Sequence, residues 1–278
     1  MCLELQLKTM DQRQSRYNYL EQFLDSLRAR GRYCFTYHSA LDTVKRSEQA
    51  LDRNLNRLIA KGKISRVMKG FYLVIPPEYF SRGTLPLPLF IDDLMKALER
   101  DYYVGLFSAA AIHGASHQQP MESYVIIKQP AMRVVRGNKL TINFLMKKEW
   151  YSEHILKMKT DVGYMNVSSP ELTALDLLYY SHRFSMNRIF TVYQELVEAM
   201  DPARLEATAK HYPQTAAIQR LGFLLDKELH QEKLTRALMT ALQERRYSPV
   251  LLVPGPDRSG KSDPDWKIIK NTIVEGDL

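Results

Sequence analysis

Leucines at 51, 55 and 58 constrain this chain most. At helical spacing they commit residues 48–61 to a helix with one buried face, and they leave Gln49, Asp52, Arg53, Asn56 and Arg57 outside the core. Ala50 and Ile59 flank the stripe, and Gly62 ends it. Ser47 is placed to cap this helix, and Glu48 suits its positive first turn. Two helices are expected before it. Residues 11–30 carry Tyr17, Leu20, Phe23, Leu24 and Leu27 on one face and stop at Gly31. Phe35–Thr36 reads as a connector, with Thr36 capping a helix over 37–45 that buries Ala40, Leu41 and Val44. Arg46–Ser47 is a tight turn. After Gly62 come two β-like runs, Lys63–Val67 and Phe71–Ile75, joined across Met68–Lys69–Gly70 and closed by Pro76–Pro77. Three helices and a β-ribbon are the element order of a winged helix-turn-helix, expected between about Asp11 and Ile75.

The charge agrees with that order. The chain carries a net charge of +8 over 278 residues. Lys and Arg minus Asp and Glu is 14 − 8 = +6 for residues 1–78 and 25 − 23 = +2 for the rest. A basic N-terminal quarter is the footprint of a polyanionic partner. Gln49, Arg53, Asn56 and Arg57 share one face of the third helix. Arg donates a fork to guanine O6 and N7, and Asn or Gln pairs with adenine N6 and N7, so this set suits reading the major groove of double-stranded DNA. Lys45, Arg46 and Ser47 at the turn, with Lys63, Arg66 and Lys69 on the ribbon, are placed for phosphates or the adjacent minor groove. Asp52 runs against simple phosphate attraction. It either accepts from cytosine N4 or orients Arg53 or Lys45.

The expected fold class is α+β: an N-terminal winged helix-turn-helix, residues 1–78, followed by a larger mixed α/β domain, residues 79–278. Residues 78–88 read as a linker. Helices are expected near 90–100 and 106–114, then strands at Tyr124–Gln129, Met132–Arg136 and Leu140–Leu145, and an extended piece at about 158–167. Ser169 as N-cap, Pro170 at the first helical position and Glu171 beside it start a helical region running to about 245. Pro249–Pro254 is extended, and a polar tail ends in an apolar stretch around Trp266–Ile269.

Other chemistries are poorly supplied. No stretch approaches the roughly 18 apolar residues of a membrane span, and Met1–Lys8 has no apolar signal-like core, so a cytoplasmic protein is expected. Cys2 and Cys34 form no motif, and Cys34 reads as a small buried hydrophobe. Gly255–Ser262 matches a P-loop letter for letter, but Asp263–Pro264 follows where a helix must begin, so no nucleotide is expected. His113 and His117 have the spacing of a helical metal pair, but Gly114 intervenes and no third ligand is evident. No cofactor, metal or catalytic set is expected. The alternative is a nucleic-acid-processing enzyme whose winged helix delivers a catalytic C-terminal domain.

Several blocks resemble AbiEi-type antitoxins, in order along the chain. They are Phe35–Thr36 with Leu58–Tyr72, then Tyr102–Gly114, then Val167–Leu178, then Arg220–Leu225. The resemblance implies an antitoxin and transcriptional autorepressor of an abortive-infection (phage defence) toxin–antitoxin operon. It implies inverted-repeat operator DNA bound by the N-terminal domain, a C-terminal domain that supports antitoxicity, and a nucleotidyltransferase-like toxin as functional partner without a stable complex. The polar tail after Leu251 departs from simpler members. Within the blocks, Asp176 is an acid in the middle of an apolar helix. It is either solvent-exposed or paired, with Arg220 the candidate partner.

Overall fold

The computed structural model describes residues 19–115, 122–137, 139–150 and 152–276. Cys2, Tyr17, His117 and the expected helical residues 11–18 lie outside this set. By its contacts the chain forms two compact units. The first comprises Met1–Arg100 with Val134–Ile142 and Lys159–Met165, and the second Asp101–Arg133, Asn143–Met158 and Asn166–Leu278. The first therefore runs past residue 78 and gathers two later segments.

In the first unit, helix α1 (Tyr19–Ala29) is followed by strand β1 (Cys34–Thr36), helices α2 (Tyr37–Val44) and α3 (Glu48–Ala60), and strands β2 (Ile64–Met68) and β3 (Phe71–Val74). The stretch read as a connector is thus a strand. Its three residues pair antiparallel with β3, Cys34 opposite Leu73 and Thr36 opposite Phe71, giving a sheet in the order β1-β3-β2. A strand this short has no room for a period-two signal, which is why residue spacing did not reveal it. Thr36 does cap α2: its hydroxyl accepts from Ser39 N while Ser39 Oγ accepts from Thr36 N. Ser47 stands at the N-cap of α3, but its side chain makes no capping bond; its carbonyl receives Ala50 N and Leu51 N instead. Gly62 and Gly70 take φ of +68° and +79°, turns that side chains with a Cβ resist. Leu20, Leu24, Leu51, Leu55, Leu58 and Val74 fill the core, with Phe35 stacked on Tyr72 at 5.3 Å.

The expected linker is packed. Thr84, Leu85, Leu87 and Leu89 are buried, two 3₁₀ turns at Pro77–Tyr79 and Leu87–Leu89 shape it, and α4 (Ile91–Ala97) follows. Cys34 is buried, as its surroundings implied, and its thiol donates to Asp93 Oδ2 at 3.1 Å. Burial first, and then the Asp93 charge, push that thiol far above its ordinary value, so it stays protonated and unreactive.

The second unit holds most of a six-stranded sheet ordered β6-β7-β5-β4-β9-β8. The strands are β4 (Tyr102–Val104), β5 (Ser123–Ile127), β6 (Val135–Gly137), β7 (Leu140–Met146), β8 (Ile155–Thr160) and β9 (Gly163–Ser168). β4 pairs antiparallel with β5 and parallel with β9. The extended piece expected at 158–167 is therefore a hairpin, turning before Gly163 at φ +141°. Six helices join it: α5 (Leu106–Ile112), α6 (Pro170–Tyr179), α7 (Met186–Leu196), α8 (Pro202–His211), α9 (Thr215–Phe223) and α10 (Glu232–Leu242). Every residue of α6 from Pro170 to Leu178 is buried, and α5, α7, α8 and α9 all pack on it. It is the axle of the unit, largely apolar on every side, and its buried Glu171, Thr173 and Asp176 must find partners inside the fold.

The chain closes with two parallel two-residue strands, β10 (Val250–Leu251) and β11 (Ile268–Ile269). Trp266 just before β11 is fully buried over Gly222, where an added Cβ would fall 1.9 Å from the ring. The described helices are too short or too polar to cross a membrane.

Candidate nucleic-acid interface

The three apolar rungs of α3 face α1 and the small sheet, so the helix can expose only the opposite side. Gln49, Asp52, Arg53 and Asn56 are exposed there. Arg53 is preorganised by a bond from its Nε to Gln49 O at 3.1 Å, which leaves the two terminal nitrogens of its fork outward. Burial first, and then the neighbouring Asp52, push the Tyr37 phenol above its ordinary value, which places Asp52 beside α2. Arg57 is half-buried, near Glu21 of α1. It sits on the flank of the exposed face rather than at its centre.

At the turn before α3, Lys45 adopts a left-handed conformation at φ 49° and Arg46 lies over the Tyr19 ring at 5.4 Å. Lys45, Arg46 and Ser47 are exposed. On the ribbon, Arg66 and Lys69 are exposed, with Arg66 opposite Tyr72 beside a β-bulge. Lys63 differs: its ammonium is bound to Glu21 Oε1 at 2.9 Å, which holds the Glu21 carboxyl below its ordinary value. Eight of the ten sequence-selected residues are therefore exposed with no carboxylate partner found among the described residues: Lys45, Arg46, Ser47, Gln49, Arg53, Asn56, Arg66 and Lys69. Lys63 and Arg57 lie toward Glu21.

The second unit carries a different constellation, which residue spacing missed. Lys147 and Asp176, 2% and 0% exposed, form a buried ion pair. The other lone pairs of Asp176 accept from Tyr103 at 2.6 Å and from Tyr212 at 2.7 Å, and the Lys147 ammonium lies 4.4 Å from the Tyr212 ring centroid. Burial, then the Asp176 charge, push both phenols far above their ordinary range, so they remain donors. Neither open reading of Asp176, solvent exposure or the Arg220 pair, holds: it is fully buried, and the candidate partner Arg220 instead donates from Nε to Leu251 O at 2.9 Å. Sequence distance hid the true partner, because Lys147 lies just past β7 and reaches α6 only in the folded sheet. With all four side chains buried, the set is a structural knot in the core of the second unit.

The other conspicuous residues have local roles. Ser169 caps α6 by accepting from Leu172 N, and Glu171 Oε1 accepts from Asp201 N at the start of α8. His113 ends α5 with its Nε2 2.7 Å from Ser168 O. The P-loop-like Gly255–Ser262 leads into a bridge between Ser262 and Ile269 and a turn in which Asp263 Oδ1 receives Asp265 N and Trp266 N, so no helix N-terminus faces the loop.

Residues 103–227 match the family model described as the AbiEi antitoxin C-terminal domain. That segment includes the knot and nearly all of the resembling blocks after residue 100, and excludes α1 to β3. Among solved structures, the RV2827C protein from Mycobacterium tuberculosis is similar in fold, with a TM-score of 0.66 at 16% identity and 91% of each chain covered. No curated protein matches.

Proposed function

From a chain that carries an AbiEi antitoxin C-terminal domain at residues 103–227, we propose an antitoxin that also represses its own operon by binding operator DNA. In this reading residues 1–78 are a winged helix-turn-helix and residues 79–278 the antitoxin domain. α3 enters the major groove with Gln49, Arg53 and Asn56 toward base edges and Arg57 at the flank. Lys45, Arg46, Ser47, Arg66 and Lys69 take phosphates, and Lys63 supports the ribbon through Glu21. The functional partner is a nucleotidyltransferase-like toxin, opposed without a stable complex, in the cytoplasm.

The observation that carries the DNA reading is the outward face of α3. Polar hydrogen-bonding side chains are spaced there at one helical turn, on a helix whose other face is locked by Leu51, Leu55 and Leu58. Arg53→Ala is expected to cost about 1–3 kcal/mol on the operator and to relax sequence preference, whereas Lys69→Ala weakens all duplexes alike. Footprinting on the chain's own promoter tests it. Equal protection by wild type and by the Arg53→Ala/Asn56→Ala variant would rule out α3 as the reader. Growth rescue from the neighbouring toxin, tried with the full chain and with residues 79–278, tests the division of labour.

A further inference from the structure

We infer that the DNA-contacting surface does not end at the ribbon but continues onto strand β6, where Arg136 binds a backbone phosphate. The inference rests on the DNA-binding reading above. β2 is the outer strand of the small sheet, and β6 lies beside it within the same compact unit. β6 alternates Val135, buried, with Arg136, exposed. Strand geometry sends these two side chains to opposite faces, so burying Val135 fixes Arg136 outward. Arg136 has no ion pair among the described residues. Its backbone is held in register opposite Thr141.

The hairpin bearing it is well anchored. Lys139 at its turn donates from Nζ to Ser81 O at 3.0 Å, which ties the turn to the segment that follows the ribbon. Residues 132–142 contain Arg133, Arg136 and Lys139 and no acid. An unpaired guanidinium on a fixed strand, beside a strand that already exposes Arg66, is a fork suited to two phosphate oxygens. The contact is to the sugar–phosphate backbone, so it adds affinity without sequence preference.

The test is the salt dependence of binding by the full chain, measured on its own promoter duplex and on a mixed-sequence duplex of equal length. Loss of one phosphate contact lowers the magnitude of the slope of log K against log salt by about 0.9. Arg136→Ala is expected to show that reduction on both duplexes. Arg236→Ala on α10, which removes the same charge from an exposed pair with Glu232, is expected to leave the slope unchanged. Arg136→Gln keeps the stem and a donor, and must reproduce the slope change where Arg136→Ala lowers the melting temperature. An unchanged slope for both Arg136 variants, with wild type still bound, overturns the inference and leaves the DNA reading standing. Unchanged slopes together with weakened toxin rescue overturn it too, by assigning β6 to a protein partner. Wild type that binds neither duplex overturns the DNA reading itself.

Discussion

Two residues show how much depends on a single side chain. Lys147 and Asp176 are tolerable inside the second unit because each neutralises the other and two phenols satisfy the remaining carboxylate lone pairs. Lys147→Met removes the positive partner and strands the acid, so denaturant unfolding is expected to show a loss of about 3–5 kcal/mol. Adding Asp176→Leu is expected to recover part of it, because an apolar pair carries no desolvation debt. His154 gives a pH effect. Its imidazole lies against Thr208 Oγ1, with Glu153, His211, Glu171 and Lys147 around it, and burial holds its pKa below the ordinary value against the pull of the two glutamates. Between that ordinary value, about 6.5, and the lower folded value, the unfolded chain binds more protons. Stability therefore falls as pH falls through this window. Melting curves across it should be flatter for His154→Gln, and equal pH dependence in the two proteins would remove His154 as the cause. Asp176 illustrates what a sequence can and cannot convey. That it needed a partner was legible from an acid in the middle of an apolar helix; which partner was not, because the pairing is made by strand order.

At the scale of elements, legibility followed amphipathicity. α1, α2 and α3 were visible as stripes of Leu and Ala at helical spacing, and the start of α6 as Ser169–Pro170. β1 and β4, three residues each, were not, because strands so short exist only by virtue of the neighbours they pair with. The segment read as a linker was misjudged for a related reason: Pro86 and Pro88 disfavour regular structure, but they do not prevent Leu85, Leu87 and Leu89 from being buried. The Thr36–Ser39 capping box is the local device that starts α2 beside β1. Thr36→Ala is expected to cost about 1 kcal/mol of stability by thermal or denaturant melting, and Thr36→Ser to cost little. The candidate reading face was legible because a buried stripe defines its complement. The anchoring of Lys63 by Glu21 was not, since the partner comes from another helix.

For the whole molecule, the two compact units do not coincide with a cut at residue 78. Asp93, which receives the Cys34 thiol and lies 3.7 Å from Arg32, stands beyond that cut. A fragment 1–100 is therefore expected to melt at a higher temperature than 1–78, and equal melting would show that residues 79–100 add nothing to the first unit. A second feature acts on the order in which the molecule is made. Gly222 leaves on α9 a slot that Trp266 fills, held by Trp266 Nε1 donating to Asp226 Oδ2 at 3.0 Å. Synthesis runs from the N-terminus, so α9 leaves the ribosome with its slot empty and an apolar surface bare until the tryptophan follows. The second unit is thus finished by a latch that arrives late. A nascent or prematurely terminated chain presents an open slot, the kind of bare apolar surface that chaperones and proteases recognise.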